Sequence, residues 1–240
     1  MEIKTGDLEY VTNVEATTAL VPYKDVSIYK SKIKRKFESI VKRTVDIFGG
    51  IVGAIALIPL TLIIWIANFI SGDRGPLFYS QERIGKDGKK FKMYKFRSMV
   101  IGADEKLKKY LEENEEARLE YKKYKKMKED PRVTKIGKFI RKTSLDEFPQ
   151  FINVLKGDMS LVGPRPYLER EKEDMTYFYK YIVSCKPGVT GLWQVSGRSD
   201  VTFDERVRLD MEYFRKNGLR IDGKILRKTV ENIVKREGAV

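Results

Sequence analysis

One feature dominates the distribution of hydrophobic positions. From Ile47 to Ile70, 24 residues pass without a charge. As one straight helix this run would extend about 36 Å, against a bilayer core of about 30 Å. Pro59 stands in its middle, where it lacks an N–H and clashes with the carbonyl four residues back, so a bend is expected there. Each half is then too short to span. The flanks are basic on both sides: Lys30–Arg43 carries seven Lys/Arg against one acid, and Lys86–Arg97 six against one. Positive charge favours the cytoplasmic side, so both ends are expected there. The pattern therefore predicts a re-entrant helix-break-helix, with a plain membrane span as the competing reading. A cleaved signal peptide is disfavoured, because the run starts near residue 47 with no small-residue cleavage pattern beyond it.

Away from the run the pattern is weaker. Alternation in Leu8-Glu9-Tyr10-Val11-Thr12 allows a short strand near the start. Residues 74–100 predict a turn-rich hairpin whose second arm alternates cationic and aromatic side chains. That arm suits an anion site, a membrane interface or a solvated edge strand. Ala103–Asp130 predicts a long charged helix with a thin stripe of Leu107, Tyr110, Leu111, Tyr121 and Tyr124, ended by Pro131. Its charge reads as a solvated face. A second helix is expected through Asp146–Leu155, stopped by Gly157, with Asp146 and Glu147 in its first turn. Tyr177-Phe178-Tyr179-Lys180-Tyr181 reads equally as a membrane-plane segment or a buried aromatic cluster.

Composition narrows the chemistry. The chain of 240 residues suits one well-buried domain with an appendage. A single cysteine, Cys185, excludes an internal disulfide and a multi-cysteine zinc cluster. The net charge of +14 suits nucleic acid, anionic headgroups or a phosphorylated small molecule. Nucleic acid is disfavoured because it leaves the long apolar run unexplained. There is no histidine, so an acid, base, nucleophile or metal ligand falls most naturally to a carboxylate. The densest candidate region is Arg141–Pro166, where acids and arginines surround helix-breaking residues in the manner of a phosphate-handling site. A helix start there favours ionised carboxylates and nearby phosphate. Simple helix capping by the acid pair competes with that reading.

Seven blocks in register then carry a resemblance. They are Gln81-x-Arg83-x-Gly85, Tyr94–Met99, Thr143–Glu147, Asn153–Ser160, Gly163-Pro164-Arg165-Pro166, Lys186–Gly191 and Trp193–Arg198, all following a hydrophobic segment with a central proline. Over about Lys42–Val240 the chain resembles the bacterial sugar transferase family, the monotopic phosphoglycosyl transferases. Such enzymes move a sugar 1-phosphate from a nucleotide sugar to a polyprenyl phosphate. The resemblance implies Asp146 as nucleophile and Glu147 as a magnesium ligand, with Lys95, Arg141 and Arg165 on phosphate or nucleotide. Arg97 and Arg198 join them as phosphate-binding candidates from the same blocks. Smaller members often have serine before the membrane proline, where this chain has Ile58.

The expected architecture is a mixed α/β, mainly helical single domain with a small sheet, a re-entrant N-terminal membrane helix and amphipathic interfacial helices. Residues 1–40 form an extension of unassigned role that could pair with a second copy. Residues 41–73 form the helix-break-helix, with Pro59 at the break, and 74–240 the catalytic domain on the cytoplasmic face of the bacterial inner membrane. The resemblance is nearest to galactose-1-phosphate transferases acting on undecaprenyl phosphate at the start of surface-polysaccharide assembly. UDP-galactose is the expected donor and UDP-glucose the next, with UMP released and Mg2+ required. The alternatives are an N-acetylated UDP-sugar, a non-catalytic membrane scaffold and a basic nucleic-acid-binding protein.

Overall fold

The apolar run becomes the spine of the molecule. Helix α1, Lys32–Ile70, is a single 39-residue helix in a computed structural model that describes residues 32–127, 129–197 and 201–235. The Leu8–Thr12 strand, most of the 1–40 extension and Arg198 lie outside the described residues. Two half-helices separated at Pro59 were expected; instead α1 runs through Pro59 as one helix. A proline removes one backbone hydrogen bond and bends a helix without having to end it. Two residues on, the Thr61 hydroxyl donates to the Leu57 carbonyl at 2.7 Å, a back-bond that also favours bending.

Along one side α1 packs on the rest of the chain. Gly49, Gly50 and Gly53 allow that approach: a Cβ at these positions would lie 2.6, 2.7 and 2.2 Å from Leu161, Leu155 and Phe151. Polar ties fix the register. Arg43 donates to the carbonyls of Val154 and Leu155 at 2.7 and 2.8 Å. Those carbonyls sit in the last turn of α5, Gln150–Lys156, where the Val154 carbonyl also accepts the C-cap Gly157 N–H at 3.1 Å. Buried Asp46 accepts from Ser160 Oγ at 2.9 Å and Leu161 N at 2.8 Å. Lys42 bonds Asp222 at 2.6 Å and the Val162 carbonyl at 2.9 Å. The opposite side is bare, and Phe48, Ile51, Ile55, Ile58, Leu62 and Phe69 are all exposed.

The remaining elements form a mixed α/β, mainly helical domain with two small sheets. Strands β1, Phe78–Ile84, and β2, Lys90–Phe96, pair antiparallel as the expected hairpin. Its turn uses left-handed Asp87 and Gly88. Strands β3, Ser160–Val162, and β4, Gly188–Thr190, pair in parallel. The charged segment after the hairpin is two helices, α2, Ala103–Glu113, and α3, Glu115–Tyr124. Asn114 divides them, because its extended backbone ends α2 while its side chain caps α3 by accepting from Ala117 N. Amphipathic α4, Lys135–Lys142, leads to the acid pair, and α6, Tyr179–Ile182, to β4. Two longer helices, α8, Phe203–Lys216, and α9, Leu219–Lys235, follow the short α7, Leu192–Val195. The aromatic segment resolves mainly as core: Tyr181 is buried and packs on Phe214, and Phe178 and Tyr179 join the cluster of Tyr167, Met175 and Phe203. Tyr177 stays exposed.

The contact between α1 and α5 makes a direct test. Gly53→Val forces a branched side chain into Phe151 and should destabilise the detergent-solubilised protein by about 1–3 kcal/mol. Thermal melts should show a midpoint lower by roughly 2–4 °C for each kcal/mol lost. An unchanged midpoint would mean that the two helices do not meet at Gly53.

Candidate functional site

The acid pair does not open an α-helix as the sequence suggested. Asp146 and Glu147 occupy a separate 3-10 turn, Leu145–Glu147, entered through Ser144 in a left-handed conformation with φ 57°. Helix α5 starts only after Pro149. Proline brings no N–H for an earlier carbonyl and is suited to the helix's beginning, so the preceding turn stands apart. The offset orients both carboxyl groups toward β2.

Strand β2 is held in place by Asn153 of α5. Its amide nitrogen donates to the Lys92 carbonyl at 2.7 Å and its amide oxygen accepts from Tyr94 N at 3.0 Å. The next residue, Lys95, thereby reaches the acids. Its ammonium lies 2.9 Å from Glu147 Oε1 and 3.5 Å from Asp146 Oδ2. Burial raises the Asp146 carboxyl above its ordinary value and Glu147 adds to this, while Lys95 and Arg141 hold it back. Burial acts on Glu147 as well, but Lys95, Arg165 and a hydrogen bond from Gln150 outweigh it and leave that carboxyl below its ordinary value. The two adjacent acids are thus differentiated. One is a strongly held anion, and the other is a more basic carboxylate, the better nucleophile of the two once ionised.

Of the other predicted residues, Arg141 stands by Asp146 and donates from Nε to buried Ser98 at 2.8 Å. Arg165 lies on the loop after β3, near enough to Glu147 for its charge to act there. Backbone contacts hold that loop: Gly163 N donates to the Thr190 carbonyl and Gly188 N to the Pro164 carbonyl, each at 2.9 Å. Arg97 is engaged elsewhere. It bonds Asp73 at 2.8 Å, the Met99 carbonyl at 3.2 Å and the Pro76 carbonyl, so its guanidinium ties the end of α1 to the hairpin. Pro59 lies inside α1. Arg198 falls outside the described residues.

The sequence reading missed several contributors. Gln150 supports Glu147, and Ser98 supports Arg141. Arg83 acts electrostatically on Lys95 and sits in a block already noted, Gln81-x-Arg83-x-Gly85. Arg206 and Asp210 carry no such local signal, because they lie in an ordinary amphipathic helix, α8.

Among the described residues, no three His, Cys, Asp or Glu side chains converge on a common point. The available hard donors are the two carboxylates. Magnesium commonly binds through one or two carboxylates with substrate phosphates and waters completing its shell, and this pair fits that manner of binding. The arrangement as a whole offers a buried carboxylate, a second anion and several cations, a set suited to attack on phosphorus with charge neutralisation.

Comparison with known proteins agrees with this chemistry. The profile of a family described as bacterial sugar transferase matches residues 37–236. The chain is 46% identical over 210 residues to a Salmonella typhimurium protein named undecaprenyl-phosphate galactose phosphotransferase, covering 88% of this chain and 44% of that one. To an Erwinia amylovora UDP-galactose-lipid carrier transferase it is 48% identical over 198 residues, covering 82% of this chain and 41% of that protein. A Sinorhizobium fredii exopolysaccharide production protein, ExoY, is 39% identical over 206 residues, with 85% of this chain and 90% of that one covered. The chain therefore spans less than half the length of the first two relatives and nearly all of the third.

The shared cation predicts a pH signature. Lys95→Met removes the cation shared by both carboxyl groups, so burial, less opposed, moves both upward, Asp146 further above its unfolded value. A raised carboxyl stabilises the fold when protonated and loses that contribution as pH rises through its folded value. The variant should be about 1–3 kcal/mol less stable than the parent at neutral pH, less than for a fully buried pair because Lys95 and Glu147 keep 26% and 36% exposure. That deficit should shrink as pH falls toward about 5. Thermal melts of both proteins across that range provide the measurement, and a gap independent of pH would remove Lys95 as the shared counterion.

Proposed function

The chain belongs to the bacterial sugar transferase family, and from that premise we propose that it transfers a hexose 1-phosphate from a UDP-sugar to undecaprenyl phosphate. The observation that carries this reading is buried Asp146 beside Glu147 with Lys95 bonded across both. An Asp146 oxygen attacks the phosphorus that bears the sugar, the P–O bond to UMP breaks, and an acyl phosphate forms. The lipid phosphate then attacks the same phosphorus and releases the carboxylate. Lys95, Arg141 and Arg165 orient and neutralise the phosphate oxygens, since phosphoryl transfer depends mainly on positioning and charge. Glu147 would hold Mg2+, which when bound neutralises pyrophosphate charge.

Galactose is the favoured sugar because two of the relatives at 46–48% identity are named for it, with glucose next. The two sugars differ in the orientation of one hydroxyl. A site that hydrogen-bonds that group discriminates strongly, whereas one that leaves it in solvent does not.

The bare face of α1 suits lipid, and the same-side topology has physical support. Lys42 is held to Asp222 at 2.6 Å, Leu57 and Ile64 pack with Phe96 and Ile140, and Asp73, just past the helix, bonds Arg97 at 2.8 Å. A crossing helix would carry residues 42 and 73 to opposite sides of the bilayer, where one polar domain could not meet both. These contacts support the re-entrant reading, in which both ends of α1 lie at the cytoplasmic face of the inner membrane and the site sits at headgroup level, where a lipid phosphate is found.

Mass spectrometry of protein trapped with donor alone should detect a phospho-sugar adduct that is absent from Asp146→Asn, and UMP release should be greatest with UDP-galactose. An adduct persisting in Asp146→Asn removes the nucleophile assignment. Turnover only with an N-acetylated donor changes the sugar and leaves the reaction. For topology, Lys36→Cys and Lys89→Cys in a Cys185→Ser background should both label from the cytoplasmic side. Labelling of either from outside would mean that α1 spans.

A further inference from the structure

A second cluster lies beside the acid pair. The buried side-chain polar atoms that lack a hydrogen-bond partner among the described residues are Arg83 Nε, Arg165 Nε, Trp193 Nε1, Gln194 Oε1, Arg206 Nε and Asp210 Oδ1. Unpaired buried polar atoms are unfavourable and are normally scattered, so their concentration in one region points to a missing polar partner. Arg83, Arg165, Trp193, Arg206 and Asp210, from β1, the loop after β3, α7 and α8, are linked through Glu171, the Trp193 ring and the Arg165 amide, and Gln194 follows Trp193 on α7. Arg165 and Arg206 both lie against the Trp193 ring, at 5.8 and 5.5 Å from its centroid. Arg206 forms the floor at 2% exposure, with Nη2 donating to the Tyr124 carbonyl. Arg165, at 21% side-chain exposure, forms the opening.

The charge balance favours an anion. Three guanidinium groups face Glu171, which lies 3.9 Å from Arg83 and 3.6 Å from Arg165, and Asp210, which accepts from Arg165 N and the Tyr167 hydroxyl at 3.0 and 2.7 Å. Burial first, and Arg165 next, lower both Arg83 and Arg206 to about 10. Burial raises Asp210 to about 7, which weakens it as a counterion. The cluster also adjoins the reacting groups, since Arg165 acts on Glu147 and Arg83 on Lys95.

The unpaired atoms are four N–H donors and two oxygen acceptors. A phosphate dianion uses the donors alone. A ribonucleotide also supplies hydroxyl or imide hydrogens for the acceptors, which a polyprenyl phosphate does not. We propose that this cluster is the subsite for the departing ribonucleoside monophosphate, with Arg206 and Trp193 joining Arg83 and Arg165 on its phosphate. The proposal rests on the UDP-sugar reading above. As the bond to UMP breaks, its phosphate gains negative charge, and donors already in place favour that step.

Calorimetric binding of UMP, inorganic phosphate and farnesyl phosphate to the full chain in detergent tests the assignment. Arg206→Gln should weaken UMP about tenfold or more, and Trp193→Phe, which removes the indole N–H and leaves a smaller aromatic ring, about threefold or more. Farnesyl phosphate binding should be unchanged in both, inorganic phosphate should bind far more weakly than UMP, and Asp146→Asn should bind UMP within about twofold of the parent. Thermal melts check that each variant is folded, and if Arg206→Gln is not, Trp193→Phe decides. UMP binding equal to the parent's in the folded variants, or loss of farnesyl phosphate in its place, overturns the subsite while the donor reading stands. A parent protein that binds no UMP overturns both.

Discussion

Asn153 imposes the constraint on which the site depends. It is fully buried, and its amide acts as both donor and acceptor to the backbone of β2 at Lys92 and Tyr94. A hairpin of two strands is marginal by itself, and its outer edge would otherwise present unpaired backbone groups. Asn153 covers part of that edge and fixes β2 relative to α5. Since the acid pair immediately precedes α5 and Lys95 lies on β2, one amide sets the separation of the cation from both carboxylates. The Asn153 carbonyl also receives Asp158 N and Met159 N beyond left-handed Gly157, so the same residue directs the chain toward β3.

The electrostatics follow from that frame. Two adjacent carboxylates in a partly dry site repel each other and resist ionisation. Lys95 relieves both, but it lies closer to Glu147, and Arg165 and Gln150 favour Glu147 further. Asp146 is left the more basic of the two, supported by Arg141. The asymmetry that suits one carboxylate to attack and the other to hold a cation is a consequence of where the cations stand. It is not encoded in the Asp-Glu dipeptide.

Helix α1 has two roles on its two sides. Its bare side is suited to lipid, while Arg43 completes the last turn of α5, Asp46 anchors the start of β3, and three glycines admit close packing. The elements that α1 touches, α5 and β3, are those that follow the turn of the acid pair and lead into the Arg165 loop. The helix with the lipid-suited face and the site geometry therefore share one set of contacts, and a change at Gly53 or Asp46 disturbs both.

The sequence by itself determined whatever is written locally. Twenty-four uncharged residues make a long apolar helix wherever they lie, and the turn chemistry around Asp87-Gly88 makes a hairpin. In a chain without histidine, attention falls on the one region dense in carboxylates and arginines, and seven motif blocks in register identified the family. Boundaries fixed by a single side chain were harder to read: Asn114 splitting the charged helix, or Pro149 setting the acid pair outside α5. Only the tertiary structure decided which cations share the site. Lys95 on β2 and Arg97 just past its end are two residues apart, yet one faces the acid pair and the other is tied to Asp73 and Pro76. Strand alternation would put residues two apart on one face, so what separates this pair is that β2 ends at Phe96 and the partners of Arg97 come from just past the end of α1 and the loop before β1. Arg206 and Asp210 were invisible for a related reason: in sequence they are ordinary members of α8, and their burial against Trp193 and Arg165 exists only once the loop after β3 packs on that helix.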